Sequence, residues 1–430
     1  FMGTLAASGA LVPVGLVPFG IFGAPAYASG TAPAGDRRAP AIDSGRSTDG
    51  KFRLWASGCS HLAKDLMPHD AGAANARPRE SLAEAIRQSE GFNNDGALAF
   101  PWDVALHLGD FAALQGLPTD EEGREVVRQF SSLRRHRREA FYTLAGNHDA
   151  APEQWWFRKW IDPLGENTRW SGVDRHDYAF PIEGTWDRYA VRIGNILLLM
   201  LSDANHLPPP AGRGGKGGYP SGAVTREAFE WWKEMVEANK GRSIIITAHH
   251  HVLKDTTVAS GDWEGYHVGS EGEYLDKFKR WYPGHTPGER PPIHPEDLRY
   301  HTYQPDGGPR GASYLFFVGD KEAPGLFEPY LAQNPGSVAM WLGAHTHTRP
   351  DDTFGGKSHI EEKWGTIFVN CAALTSYHAQ AKSPKSRLIT FTPGSDEVRI
   401  QCYLHSDDVA PRGWYEKAER NFHLRQRFEI

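Results

Sequence analysis

Five apolar runs in this chain each end in a knot of polar residues able to hold a cation, and this recurrence restricts the fold more than any other feature of the sequence. Thr143-Leu144-Ala145 leads to Gly146-Asn147-His148-Asp149. Phe52-Arg53-Leu54-Trp55-Ala56 leads to Ser57-Gly58-Cys59-Ser60-His61. Val104-Ala105-Leu106-His107-Leu108 leads to Gly109-Asp110. Ser243-Ile244-Ile245-Ile246-Thr247-Ala248 leads to His249-His250-His251, and Ala339-Met340-Trp341-Leu342 leads to Gly343-Ala344-His345-Thr346-His347. Short apolar runs of this kind read as strands buried on both faces. Glycine after the run lets the backbone turn sharply and aims the next side chains at a common point. The expectation is a sheet with a ring of metal ligands at the carboxyl ends of its strands.

Length and composition leave room for that architecture. A chain of 430 residues with 40% hydrophobic residues and 14 Trp can bury a large core, as one α/β domain with insertions or as two domains. Its formal charge of −6 gives no reason to expect a nucleic-acid partner or an acidic membrane surface. Three cysteines, Cys59, Cys371 and Cys402, cannot make a disulfide framework. A Cys371–Cys402 bridge is one reading, and inert core thiols are the expectation.

Residues 1–28 carry no charge and end Ala26-Tyr27-Ala28, a small-x-small pattern after an apolar stretch, as in an export signal. The opening Phe1-Met2 resembles the end of a twin-arginine signal, whose Arg pair does not stand in this sequence. Pro13, Pro18 and Pro25 argue against a stable membrane span. The expectation is an exported protein, periplasmic or extracellular. A retained segment of this kind could instead pair with neighbouring subunits and give a homo-oligomer. Residues 29–50 read as a linker rich in Ala, Pro, Gly and Ser. The folded domain is expected over 51–430.

Within it, Ser81–Ser89 and Thr119–Arg138 read as helices, the second ending in the basic run Arg134-Arg135-His136-Arg137-Arg138 as a solvated helix end. The aromatics Trp155, Trp156, Phe157 and Trp160 read as core, or as one wall of a substrate pocket. Strands are expected at 189–193 and 195–203, a loop at 208–218, and an amphipathic helix over 225–239 capped by Thr225. A long insertion at about 255–335, rich in Tyr, Trp, His, Gly and Pro, reads as a lid over the site. Runs at 365–370, 387–391 and 397–403 read as a terminal antiparallel set.

The residue types at the run ends define the chemistry. Asp110 is a hard anionic ligand able to bridge two cations, Asn147 is a neutral oxygen ligand, and the histidines offer borderline nitrogen ligands. That set suits Zn, Fe or Mn better than Ca or Mg. Two such ions sharing a carboxylate clamp an in-line displacement at phosphorus. Spacing from the strand alone leaves the choice among His249, His250 and His251 open.

The order Cys59-Ser60-His61, Gly109-Asp110, Gly146-Asn147-His148-Asp149, His249-His250, Ala344-His345-Thr346-His347 resembles the calcineurin-like metallophosphoesterases, the group of purple acid phosphatases and many phosphodiesterases. The resemblance implies a four-layer α/β/β/α sandwich, two mixed sheets between helices. It implies two divalent or trivalent metal ions. One is held by Cys59, His61, Asp110 and His347, the other by Asp110, Asn147, His249 and His345. His148 takes the family's catalytic histidine role, and a metal-bound hydroxide attacks the phosphorus of a phosphoester substrate. Cys59 stands where the family has Asp, and thiolate binds Zn or Fe well. Ala113 replaces a second acidic residue, and Ala344 replaces a Gly. The expectation is a metal-dependent phosphoester hydrolase. The alternative is an exported assembly protein on a phosphatase-like scaffold with weak or no catalysis.

Overall fold

The computed structural model of the chain describes residues 47–62, 80–93, 96, 98–113, 117–149, 155–203, 223–251, 253, 256, 316–317, 327–345, 347, 350, 360–375 and 384–430. The export-like segment at 1–28, most of the linker at 29–50, the loop at 208–218 and most of the lid at 255–335 lie outside the described residues. Residues at the end of the expected linker are tied to the domain: the Ser47 amide and hydroxyl donate to the Asp103 carboxylate at 3.1 and 3.0 Å.

The strands in chain order are β1 (Phe52–Ser57), β2 (Val104–His107), β3 (Phe141–Thr143), β4 (Ile182–Thr185), β5 (Arg188–Ile193), β6 (Ile196–Leu201), β7 (Ala223–Val224), β8 (Ile244–His249), β9 (Phe316–Phe317), β10 (Met340–Gly343), β11 (Ile360–Lys363), β12 (Thr366–Asn370), β13 (Lys385–Phe391), β14 (Glu397–Leu404), β15 (Gly413–Trp414) and β16 (Arg420–His423). The helices are α1 (Ser81–Glu90), α2 (Asp120–Phe130), α3 (Trp155–Trp160), α4 (Thr168–Ser171), α5 (Arg226–Asn239) and α6 (Phe327–Gln333). One sheet runs β15-β14-β13-β1-β2-β3, with β16 also on β14; the other runs β11-β12-β10-β8-β6-β5-β4. Strands β1, β2 and β3 are mutually parallel in the first sheet, and β6, β8, β10 and β12 in the second. Each sheet carries antiparallel strands outside that parallel core, so both are mixed.

Alternation along the strands builds four layers. Leu54, Ala56, Val104 and Leu106 of the first sheet pack with Val191, Leu198, Met200, Ile246 and Leu342 of the second in one buried cluster. The outer face of the first sheet (Trp55, Ala105, Phe141) is covered by Ile86 of α1, Val126 and Phe130 of α2 and Trp156 and Trp160 of α3. The outer face of the second (Leu197, Leu199, Ile245, Trp341) is covered by Phe229, Trp232 and Val236 of α5 and Phe327 and Leu331 of α6. This is the α/β/β/α sandwich expected from the sequence, and the aromatic cluster of α3 is its core rather than an open wall, with Trp155 alone on the surface. Helix α2 starts in a capping box, in which Thr119 Oγ1 accepts the Glu122 amide and Glu122 accepts the Thr119 amide. Gly123 belongs there because a Cβ would run into the Trp160 ring.

Three details depart from the expectations. Helix α2 stops at Phe130 and not at Arg138. The backbone leaves the helix to serve a buried carboxylate: Glu90 accepts the amides of Arg134, Arg135 and His136 at 2.8, 3.1 and 3.1 Å and faces His136 Nδ1 at 2.8 Å. Arg138, far from being a solvated helix end, lies with its guanidinium 3.5 Å from the centre of the Phe130 ring and donates to the Ile161 carbonyl at 3.2 Å. The terminal strands do not form one antiparallel set either. β12 joins the second sheet parallel to β10, while β13 and β14 pair antiparallel in the first. Cys371 and Cys402 are free, buried thiols.

Strand β13 also buries Lys385, and burial lowers its pKa to about 7. The unfolded chain binds that proton up to about pH 10.4, so between about 7 and 10.4 the unfolded state holds more protons and folding stability rises with pH. Lys385→Met removes this dependence. The variant is expected to be more stable than the parent at pH 6, by an amount on the order of a few kcal/mol, with the gap closing toward pH 10, as read by denaturant unfolding at several pH values.

Candidate metal centre

The parallel strands of both sheets deliver their carboxyl ends to one edge of the sandwich. After β1 the chain turns through Gly58-Cys59-Ser60-His61. The Cys59 and His61 amides donate to the Gly109 and Asp110 carbonyls at 2.9 and 3.0 Å, which lashes the first loop to the second. Gly58 admits the opposite sheet, since a Cβ there would press on the Ala344 Cβ at 2.8 Å. Four site residues hold left-handed backbone: Cys59 (φ 53°), His61 (46°), Asp110 (59°) and His345 (57°). Each such conformation costs on the order of 1–3 kcal/mol for a residue with a Cβ, and clusters of them mark functional sites.

Asp149 holds this strain in place. Its carboxylate accepts the amides of Asp110, Phe111 and Ala112 at 2.8, 2.8 and 2.9 Å and that of Gly146 at 2.9 Å. Burial and the Asp110 charge push Asp149 up to about 7, against the pull of those amides. Gly146 is required because Asp110 Oδ1 occupies the place of a Cβ. The His148 amide donates to Asp110 Oδ1 at 2.9 Å, leaving Oδ2 to face the histidines.

Asp110 Oδ2 lies 2.9 Å from His250 Nε2 and 3.7 Å from His61 Nε2. His61 Nε2 is 3.4 Å from His347 Nε2, and His250 Nε2 is 3.3 Å from His345 Nδ1. Donor atoms of Cys59, His61 and His347 lie within 4.8 Å of one another, as do those of Cys59, Asp110 and His250, of His250, His251 and His345, and of His61, Asp110 and His148. On the far side of the rings, Nδ1 of His61 and of His250 meet the Ala112 and Leu108 carbonyls at 3.1 and 2.5 Å. A proton on each Nδ1 leaves the Nε2 lone pair for a cation. Among the described residues, neither amide atom of buried Asn147 is hydrogen-bonded, and buried His345 Nε2 has no hydrogen-bond partner. Such orphaned groups are costly unless a ligand satisfies them. The donor set therefore fits two cations that share Asp110.

Burial would lower His250, but the Asp110 charge outweighs it and holds the imidazole up at about 9. Burial would raise Asp110, but His250, His148 and His61 keep it well below the carboxylate range. Burial and Asp110 push the Cys59 thiol well up, so only a cation beside it makes a thiolate there.

The structure brings Cys59, His61, Asp110, His345 and His347 together with His148, whose ring is 4.8 Å from that of His61. It does not bring His249 there. Side chains alternate along β8, with Ile246 and Ala248 facing the other sheet and Ile245 facing the helices. His250 therefore projects to the centre, and His249 turns to Asp203, 2.9 Å from its Oδ1. Spacing left His249, His250 and His251 open and the family resemblance pointed to His249, whereas the structure sets His250 against Asp110. Sequence reasoning missed Asp149, whose role is carried by backbone amides that no residue pattern announces.

Two mixed sheets between helices, with a cluster of candidate metal ligands at their strand ends, define the class of this α/β fold. The chain belongs to the calcineurin-like phosphoesterases, whose family pattern matches residues 52–349. No curated protein matches it. Among solved structures it is similar to a conserved protein of Streptococcus pneumoniae TIGR4 described as a predicted phosphoesterase, with 8% identity over 87% of this chain and 98% of the other and a TM-score of 0.29. It is also similar to vacuolar protein sorting 29 of Cryptosporidium parvum, with 12% identity over 87% and 100% and a TM-score of 0.30. The Chaetomium thermophilum Vps29 gives 9%, 88% and 97%, and 0.29. Membership rests on the family match.

Asp149→Ala leaves four buried amides without acceptors. The variant is expected to lose on the order of 3 kcal/mol or more of stability, measured by urea unfolding, and to retain less metal after dialysis because Asp110 is no longer held.

Proposed function

We propose that this chain is a metal-dependent phosphoester hydrolase with a dinuclear centre. One set of ligands is Cys59, His61, Asp110 and His347; the other is Asp110, Asn147, His250 and His345. The observation that carries the reading is the single oxygen Asp110 Oδ2, set between His250 Nε2 at 2.9 Å and His61 Nε2 at 3.7 Å, with a further imidazole beyond each. When bound, the two ions supply Lewis acidity toward the phosphoryl oxygens and a water of lowered pKa. Zinc, iron or manganese suits the donors, and Cys59 biases its set toward the thiophilic ones.

The protein's own residues do the rest. Asp110 supplies the shared negative charge, and Asp149 fixes its backbone through three successive amides. His148, whose amide holds Asp110 Oδ1, has its ring beside that of His61, where it can protonate the departing alkoxide oxygen. The apolar segment at 1–28 supports reading the protein as exported. The assembly-scaffold reading rested on that same segment and on Cys59. The buried Cys59, within ligand range of His61 and His347, supports a ligand instead.

The test is hydrolysis of an aryl phosphomonoester and an aryl phosphodiester by metal-replete protein. Turnover of at least one is expected, with His250→Ala lowering kcat about 100-fold or more, the scale seen when one catalytic electrostatic group is removed, and lowering metal content. Metal-replete protein that cleaves neither ester sinks the proposal. Cys59→Asp is expected to preserve turnover while shifting the preferred metal from zinc toward manganese, read by activity across a series of reconstituting metals.

A further inference from the structure

His249 and His251 flank the candidate ligand His250, and both turn to one buried carboxylate. The His251 amide donates to His249 Nδ1 at 3.0 Å. That leaves the ring proton of His249 on Nε2, which lies 2.9 Å from Asp203 Oδ1. His251 Nδ1 lies 3.2 Å from Asp203 Oδ2, so each carboxylate oxygen faces one imidazole. All three residues are fully buried. Burial would raise Asp203, but the His251 and His249 rings outweigh it and hold the carboxyl down at about 2. Asp203 is therefore an anion set between two imidazoles, and the three are fixed as one unit.

That unit touches the supports of three ligands assigned above to the second cation: Asn147, His250 and His345. The Asp203 amide donates to the Ala145 carbonyl at 3.0 Å, and Ser202 Oγ accepts the Ala145 amide at 2.9 Å. These two bonds dock the start of the loop that carries Asn147 onto the end of β6. His250 stands between the two imidazoles that face Asp203 and turns the other way, to Asp110 Oδ2 at 2.9 Å. The His251 ring stacks on that of His345 at 3.9 Å with 26° between the planes. The orientation of one ligand is thus set by an imidazole that a carboxylate orients in turn. The first set is supported from elsewhere. The Cys59 and His61 amides donate to the Gly109 and Asp110 carbonyls, and His61 Nδ1 meets the Ala112 carbonyl.

We propose that Asp203 is a positioning residue for the second cation alone. Through His251 it holds the ring of His345, through its amide the loop of Asn147, and through both flanking imidazoles the direction of His250. The inference rests on the dinuclear reading and adds to it a support that one cation has and the other lacks. A carboxylate that served only the fold would affect both ions alike.

Cobalt(II) titration of chelator-stripped protein tests it. Cobalt on the Cys59 thiolate gives a thiolate-to-metal charge-transfer band that reports the first set, and equilibrium dialysis counts total metal. The unaltered chain is expected to bind two equivalents. Asp203→Asn is expected to keep the band and its midpoint while the other equivalent weakens about 10- to 100-fold, the scale of a lost outer partner of a ligand. His251→Asn, which keeps an amide donor for Asp203 and removes the stacked ring, is expected to do the same. Equal weakening of both equivalents, or of neither, overturns the proposal and leaves a structural Asp–His cluster. Should Asp203→Asn fail to fold, as read by circular dichroism, His251→Asn decides the matter, since it keeps the backbone bond of Asp203. All counts are made without substrate. An unaltered chain that binds two ions and cleaves no ester sinks the hydrolase reading alone, and one that binds a single ion overturns both.

Discussion

The structure depends on one buried carboxylate, that of Asp149. Asp149 gathers four backbone amides from two loops, and three of them belong to consecutive residues beginning at Asp110. Amides in succession around an anion form a nest, and the nest fixes the backbone more firmly than any single side-chain contact. Asp110 can hold a left-handed conformation only because its neighbours are fixed in this way. Asp110 is thus positioned by main chain, with its Oδ2 facing His250 and His61.

The second constraint is the meeting of two sheets at their strand ends. Both sheets contribute candidate ligands: Cys59, His61, Asp110 and Asn147 follow strands of the first, and His250, His345 and His347 follow strands of the second. Neither group is a site alone. Apolar packing of Leu106, Leu108 and Ala56 against Ile246, Ala248 and Leu342 sets the separation, and Gly58 and Ala344 allow the final approach. The energy that brings the hydrophobic faces together thus also brings these side chains together.

Much of this was legible in the sequence, for a physical reason. Strands buried on both faces are continuous apolar runs, and polar residues can follow them only where the sheet ends, so β1, β2, β3, β8 and β10 announce both themselves and their ligands. The same property hid the choice of histidine. When both faces are apolar, Ile244-Ile245-Ile246 does not say which parity looks toward the other sheet, and His249 and His250 could not be told apart. The early end of α2 was hidden because an acceptor 40-odd residues away in sequence, Glu90, draws the backbone out of the helix. The placement of β12 was hidden because β-prone residues specify a strand and not its neighbour.

Strand β8 ends at His249, the first of three consecutive histidines, and the first two turn opposite ways, His249 to Asp203 and His250 to Asp110. The three-residue tract is therefore a two-sided connector. Its middle member faces Asp110, and its outer members face Asp203. Inserting or deleting one residue anywhere between Ile244 and Ala248 would keep the composition, the hydropathy and every ligand type, yet it would swap which imidazole looks which way.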